Sequence, residues 1–550
     1  MSFFEDASLV MIPSGVKESK LYSIKPTDGT VDFTFTRGTD TATRVNADGL
    51  IEKETQNLLL QSNSFSNATW GKRQVSVTPN ATTAPDGSNT ASKIVEDTTA
   101  AAQHRLDQTT TSSSGVKTFS VYLKQGERTT SWVRIGLSGF YIDLTDGTIS
   151  GVNSNIIANA TSLANDWYRV SVTKTDASAN EVLRINVGTG DSDGDGTSGI
   201  FVWRAQYEDG LVARDYIETT TAAVYGGITD NLPRLDYSGG ATCPSLLLEP
   251  QRTNLFTQSE YLDGFTTAGS PSPTLTANYA ESPEGVDNAY RVEIPSVSGL
   301  SLMAQLVSHT SGTDMTISAY VKSNVASNQS FKLFGDYGTA TSATLTATSE
   351  WQRFTFTFTP TATGSRNAGI LNEANTAADL LVYAMQVETG DYATSYIPTM
   401  GVSATRAKDT INQNIQTLTS GLTEGTLFIE FEKPNTGENN DLMRWKGSGA
   451  TGRAFIYNTA AGFASNWGSN QQLNIGGGDN NKVAWRLNSL SSGVEFVNGV
   501  KGAGGSGTAW TDIRELRFNA DGNGGVLKVK QILFFPTALT DAECITLTTL

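Results

Sequence analysis

The chain has 550 residues and a formal charge of −16, with 17% of its residues charged. That length exceeds what one hydrophobic core usefully serves, so three or four domains of roughly 100 to 200 residues each are expected. The acidic balance argues against a nucleic-acid surface, which needs clustered Lys and Arg to replace counterions, and no run approaches the roughly 18 to 20 apolar residues that span a bilayer.

The N-terminal stretch MSFFEDASLVMIPSGVKESK places Glu5 and Asp6 before a short apolar run and lacks a basic region, so it does not read as a secretory signal. Phe33 and Phe35 alternate with Thr along VDFTFT, as in a strand with one buried face. Residues 1–55 are expected to form strands and extended loops that dock onto a partner. The plainer reading makes them an extra strand on the first sandwich.

Two segments then recur in the same order. NLLLQSNSF (57–65) answers to NLFTQSEYL (254–262), and APDGSNTASKIVE (84–96) to ESPEGVDNAYRVE (281–293). KTFSVYLK (117–124) pairs with MTISAYVK (315–322), with Tyr122 and Tyr320 in equivalent places. NDWYRVSVTK (165–174) answers to SEWQRFTFTFT (349–359), where Phe354, Phe356 and Phe358 alternate with Thr, and FVWRAQYEDGLVARDYIETT (201–220) to LVYAMQVETGDYATSYIPTM (381–400). Each copy suits a jelly roll of two packed antiparallel sheets. The division expected is 56–224 and 253–403 for the jelly rolls, with 225–252 as a connector. The landmarks resemble carbohydrate-binding-module-like sandwiches of phage structural proteins, in which an SVYLK-type strand and a W-x-R strand recur.

Residues 404–550 differ, with EGTLFIEFE, a strand ending at VNGV over Asn498-Gly499, and a closing strand followed by LTDAE. The Asn-Gly pair suits a primed hairpin turn. Thr540 and Glu543 can form a capping box, with Ile545, Leu547 and Leu550 packing. This part resembles a concanavalin A-like or laminin-G-like sandwich, so the fold class expected is all-β, as tandem antiparallel sandwiches behind a short anchor.

The stretches LVMIPSGVKESKLYSIKPTDGTVDFTFTRGTDTATRVNADGLIE (9–52) and PRLDYSGGATCPSLLLEPQRTNL (233–255) resemble segments that sit next to one another in tailed-phage structural proteins. Here a sandwich lies between them, as though inserted.

Among candidate sites, Asp191, Asp193 and Asp195 before Gly196 reproduce the first half of a calcium loop, although Val202 stands where the bidentate Glu would be. A solvated acidic turn is the plainer reading. Glu430 and Glu432 alternate on one strand face about 6 to 7 Å apart, the range for glycosidic acid and base work, but Asn435 replaces the third carboxylate of the catalytic sandwiches. Solvent-facing glutamates explain them better, and no catalytic residue is expected. His104 and His309 have no metal-ligand spacing around them, and Cys243 and Cys544 offer no disulfide framework. Sugar binding would fall to flat rings beside polar groups. Trp70, Trp132, Trp445, Trp467 and Trp510 are the candidates, whereas Trp167, Trp203, Trp351 and Trp485 sit in strand patterns that suit a core.

The resemblance implies a non-enzymatic bacteriophage virion component at the particle surface, a fibre, spike or capsid appendage contacting host-surface glycans. It also implies virion partners through the N-terminal segment and a homotrimer, though no heptad or collagen repeat is present. A virion depolymerase and a bacterial polysaccharide-binding adhesin are the alternatives. The first would need a carboxylate pair in a groove, the second a signal or sorting segment.

Overall fold

In the computed structural model the described residues are 3–336, 338–372, 374–432, 441–447, 453–459, 462–467, 472–474, 480–506, 512–519 and 525–550. The chain is all-β, built from antiparallel sheets packed as sandwiches. In the first jelly roll one sheet runs Ile156–Ser162, Trp167–Ala177, Gly115–Gln125, Gly199–Asp209, Ala91–Glu96, Val75–Thr82. The facing sheet runs Ile149–Ser150, Ser138–Asp143, Thr130–Ile135, Val182–Ser192, Ala102–Thr109, Gly71–Arg73.

The second jelly roll repeats this order. Thr274–Ala280, Ala289–Ile294, Ala378–Thr389, Met315–Ser323 and Gln352–Phe358 form one sheet. Thr266–Ala268, Ser301–His309, Gly364–Asn372, Gln329–Asp336 and Ala340–Thr341 form the other. Period-two patterning drives both folds, because alternate residues of a pleated strand face opposite sides. Phe119, Val121 and Leu123 point into the first core, and Ile317, Ala319 and Val321 into the second.

The duplication extends to side-chain bonds. Asn57 Nδ2 donates to Ala205 O and Ile217 O at 3.0 and 2.7 Å, and Asn254 Nδ2 to Met385 O and Ile397 O at 3.1 and 2.9 Å. Ser62 shares a 2.6 Å hydrogen bond with the Tyr216 hydroxyl, as Ser259 does with Tyr396 at 2.5 Å. Gln206 donates to Glu208 at 2.7 Å and Gln386 to Glu388 at 2.6 Å. These polar groups sit in both cores because each finds a partner.

The boundaries drawn at 55, 225, 252 and 404 separate segments that fold as one unit. Leu9–Met11 pairs along one end of Leu527–Phe535, and Ser245–Leu248 along the other. Phe33–Thr36 pairs with Thr410–Asn414, placing Phe35 opposite Ile411. Phe33 and Phe35 are buried in the core that holds Trp445, Trp485 and Phe534. The N-terminal stretch is thus part of the terminal sandwich and not a strand of the first sandwich. The physical reason is the open edge of Leu527–Phe535, whose backbone groups and apolar face need partners.

Each jelly roll is inserted into this terminal sandwich through a pair of short strands. Thr55–Asn57 pairs with Val224–Gly226, and Arg252–Asn254 with Ala404–Arg406. Buried charges brace the junction. Arg234 meets Glu249 at 2.7 Å and also Asp409, Arg406 meets Glu249 at 2.8 Å, and Lys53 lies between Glu260 and Glu284 at 2.5 and 3.0 Å. The jelly rolls also touch, since a Cβ on Gly115 (φ 133°) would clash with the Met400 carbonyl oxygen.

The Asn498-Gly499 turn has both residues at positive φ, as a primed turn requires. Asp541–Thr548 is a helix with the expected Thr540–Glu543 capping box. Its packing differs from expectation, however. Cys544 is buried and Leu547 partly so, while Ile545 and Leu550 are exposed.

Candidate functional site

Strand Thr130–Ile135 directs Val133 and Ile135 into the core and so turns Trp132 and Arg134 outward. Tyr141 stands opposite Trp132 across the strand pair, with ring centroids 5.2 Å apart, and the Arg134 guanidinium lies 3.6 Å from the Trp132 ring centroid. The neighbouring strand adds Arg184 and Asn186, opposite Arg134 and Trp132, and Ala102–Thr109 adds Gln103, Arg105 and Asp107. Arg134 Nη2 donates to Gln103 Oε1 and Asn186 Oδ1 at 3.2 and 3.1 Å. A half-buried aromatic pair therefore lies beside a fixed set of amides and guanidiniums.

The electrostatics of this face are lopsided. Asp107 pairs with Arg73 and Arg105 at 2.9 Å and with Arg184 at 3.5 Å, whereas Arg134 pairs with no carboxylate among the described residues. Burial, then the Arg184 and Arg105 charges, lowers the Arg134 guanidinium to about 10. Burial likewise lowers Arg184.

The other candidate tryptophans fall elsewhere. Trp70 is buried against Phe65 and donates its Nε1 proton to Gln61 O at 3.0 Å, and Trp445 is buried in the terminal core. Neither can stack on a sugar, because apolar packing has claimed both ring faces. The Trp467 side chain and Trp510 lie outside the described residues. Trp167, Trp203 and Trp485 are core residues, whereas Trp351 is half-buried and donates to Glu281 O at 3.2 Å.

The candidate calcium residues Asp191, Asp193 and Asp195 lie along and just after strand Val182–Ser192. Asp195 accepts hydrogen bonds of 2.6 to 3.0 Å from the backbone and hydroxyls of Thr197 and Ser198, which hold its carboxyl well below the usual range. Asp193 accepts from Ala101 N at 2.9 Å, and Asp191 lies in a strand opposite Gln103. The Asp193 and Asp195 carboxylates are thus held in separate local bonds. Among the described residues no group of three or more His, Cys, Asp and Glu side chains could hold a metal ion.

Glu432 pairs with Lys530 at 2.7 Å and Glu430 sits half-exposed opposite Lys482, while Asn435 lies outside the described residues. His104 is buried, its Nδ1 2.7 Å from Gln74 O.

Two cavities fall where segments meet. One of about 540 Å³ lies between the jelly rolls, with Arg169, Ser171 and Thr173 on one wall and Asn278 and Asp287 on the other. A second of about 370 Å³ gathers Asp40, Glu54, Lys117 and Asp209 at the first neck. Burial, then Asp40 and Asp209, pushes the Glu54 carboxyl up to about 8. Sequence reasoning missed this cluster, since its members come from four separate segments. It also missed Arg105, Arg134 and Arg184, although the i, i+2 spacing of Trp132 and Arg134 in WVR put those two on one face.

Comparison with known proteins found no matching family model and no matching curated protein. Among solved structures, the chain is similar to the CBM40 module of Ruminococcus gnavus IT-sialidase bound to α2,3-sialyllactose. That match has 16% identity over 24% of this chain and 84% of that one, at a TM-score of 0.20. It is also similar to the CBM22-1–CBM22-2 tandem of Paenibacillus barcinonensis Xyn10C, with 13% identity over 61% of this chain and 98% of that one, at a TM-score of 0.23.

Proposed function

We propose that this chain is a non-catalytic glycan-binding protein whose first jelly roll presents the binding face. Trp132 and Tyr141 supply the flat apolar surface on which a pyranose stacks, and Gln103, Arg105, Arg134, Arg184 and Asn186 read its hydroxyls. The observation that carries this reading is the position of Trp132. Of the candidate tryptophans with described side chains, it is the one left at the surface, set among polar groups rather than sealed in a core. The full chain is expected to bind members of a glycan array, and Trp132→Ala to lower that binding at least tenfold, the loss of an aromatic platform worth above about 1.4 kcal/mol. Binding that survives the substitution would place the site elsewhere.

The finer reading is a bacteriophage appendage at the particle surface, homotrimeric, meeting host glycans through the jelly rolls and virion proteins through the terminal sandwich. It is supported by the resemblance of residues 9–52 and 233–255 to segments that adjoin in phage structural proteins. Antibody against the chain should label purified phage particles, and unlabelled particles would refute the virion assignment.

A further inference from the structure

We infer that the Trp132 face takes an anionic glycan, with the carboxylate of a uronic or sialic acid seated against Arg134, Arg184 and Asn186. This rests on the glycan-binding reading above and narrows it to a ligand class. Asp107 is the one carboxylate paired with the arginines of this face among the described residues, and three of them share it. Beside Trp132 four guanidiniums stand against that single paired carboxylate, in a chain that carries −16 overall, while Asp143 and Asp191 stand on the same sheet face opposite Thr130 and Gln103.

The donors outnumber their acceptors. Arg134 is almost fully buried, yet among the described residues Nη2 alone of its three nitrogens donates, to the Gln103 and Asn186 side-chain carbonyls, and its Nε is without an acceptor. Asn186 is fully buried. With its Oδ1 turned to Arg134, its Nδ2 is left unpartnered among the described residues. Arg184 donates Nη1 to Gly136 O and pairs through Nε with the shared Asp107. A buried donor without an acceptor is destabilising, and a buried cation without a partner more so.

An acceptor-rich group resolves this arrangement, and a neutral sugar does so poorly, because each hydroxyl brings a donor of its own. A carboxylate brings only acceptors and offers guanidinium its matching geometry. The aromatic pair alongside fixes the rest of the ligand as a ring with an apolar face. Together these specify a carboxylate-bearing pyranose.

The test titrates the full chain calorimetrically with two matched pairs, trigalacturonate against its methyl ester and α2,3-sialyllactose against lactose. The proposal expects the charged member of at least one pair to bind about tenfold or more tightly than its neutral counterpart, as one charge-assisted bond would give. The pair that discriminates tells a uronate from a sialate. Arg134→Met is expected to erase the preference. Asn186→Asp supplies the missing acceptor within the chain, so it should also erase the preference while raising the thermal midpoint, which separates loss of binding from loss of fold.

Equal affinity within both pairs overturns the proposal, as does a preference unchanged in Asn186→Asp. Tight binding of the neutral members that depends on Trp132 would refute the anionic ligand but leave the glycan-binding reading standing. Failure to bind any of the four ligands together with a blank glycan array would refute both.

Discussion

Glu54 shows how the environment of one residue becomes a property of the chain. Its carboxyl is held up to about 8, against an ordinary 4.5, by burial and by Asp40 and Asp209. A carboxyl with a raised folded-state pKa contributes stability that is full below about 4.5 and lost as pH rises through about 8. The thermal midpoint should therefore fall between about pH 4.5 and about pH 8, and Glu54→Gln should flatten that fall. An unchanged slope in the variant would show that the charge is relieved elsewhere. At this scale the sequence was least legible. Trp70, Trp132 and Trp445 all stand beside polar residues in the chain, yet Trp70 and Trp445 are core, because burial depends on what another strand or loop lays over the ring. The Asp191 to Asp195 spacing likewise suggested convergence, whereas Asp193 and Asp195 bond to separate backbone and hydroxyl groups.

Individual strands were the most legible features, since KTFSVYLK, MTISAYVK and QRFTFTF carry period two in their residue types. The duplication was equally readable, and it extends to the Asn57 and Asn254 latches that close each neck. Asn254 bonds two carbonyls and two backbone amides inside the second module. Asn254→Ala should accordingly destabilise the chain by about 1 to 3 kcal/mol in chemical denaturation, as unpaired buried groups cost. A change below about 0.5 kcal/mol would mean that these groups find other partners. Cross-strand register stayed hidden, because it is set between segments far apart in sequence. That is why Arg105 and Arg184 escaped notice beside Trp132, and why Phe33 and Phe35 were recognised as strand residues but assigned to the wrong neighbours.

The chain behaves at the largest scale as one sandwich assembled from three segments, carrying two jelly rolls on paired-strand necks. The resemblance read in residues 9–52 and 233–255 implied an insertion. What could not be read was that both segments complete the terminal sandwich. Joining Asn57 directly to Val224 should leave a folded protein, because those two residues are already cross-strand partners. Residues 404–550 expressed alone should not fold, for they lack the strands that cover Leu527–Phe535. A cooperative melt from that fragment would contradict the three-segment sandwich.

The glycan-binding face is the claim on which the functional account depends, and hydrogen–deuterium exchange with and without a glycan selected from the array tests its location most directly. The account predicts slowed exchange in Thr130–Ile135, Ser138–Asp143 and Val182–Ser192, the strands that carry Trp132, Tyr141 and Arg184. Protection confined to the second jelly roll or the terminal sandwich would contradict it.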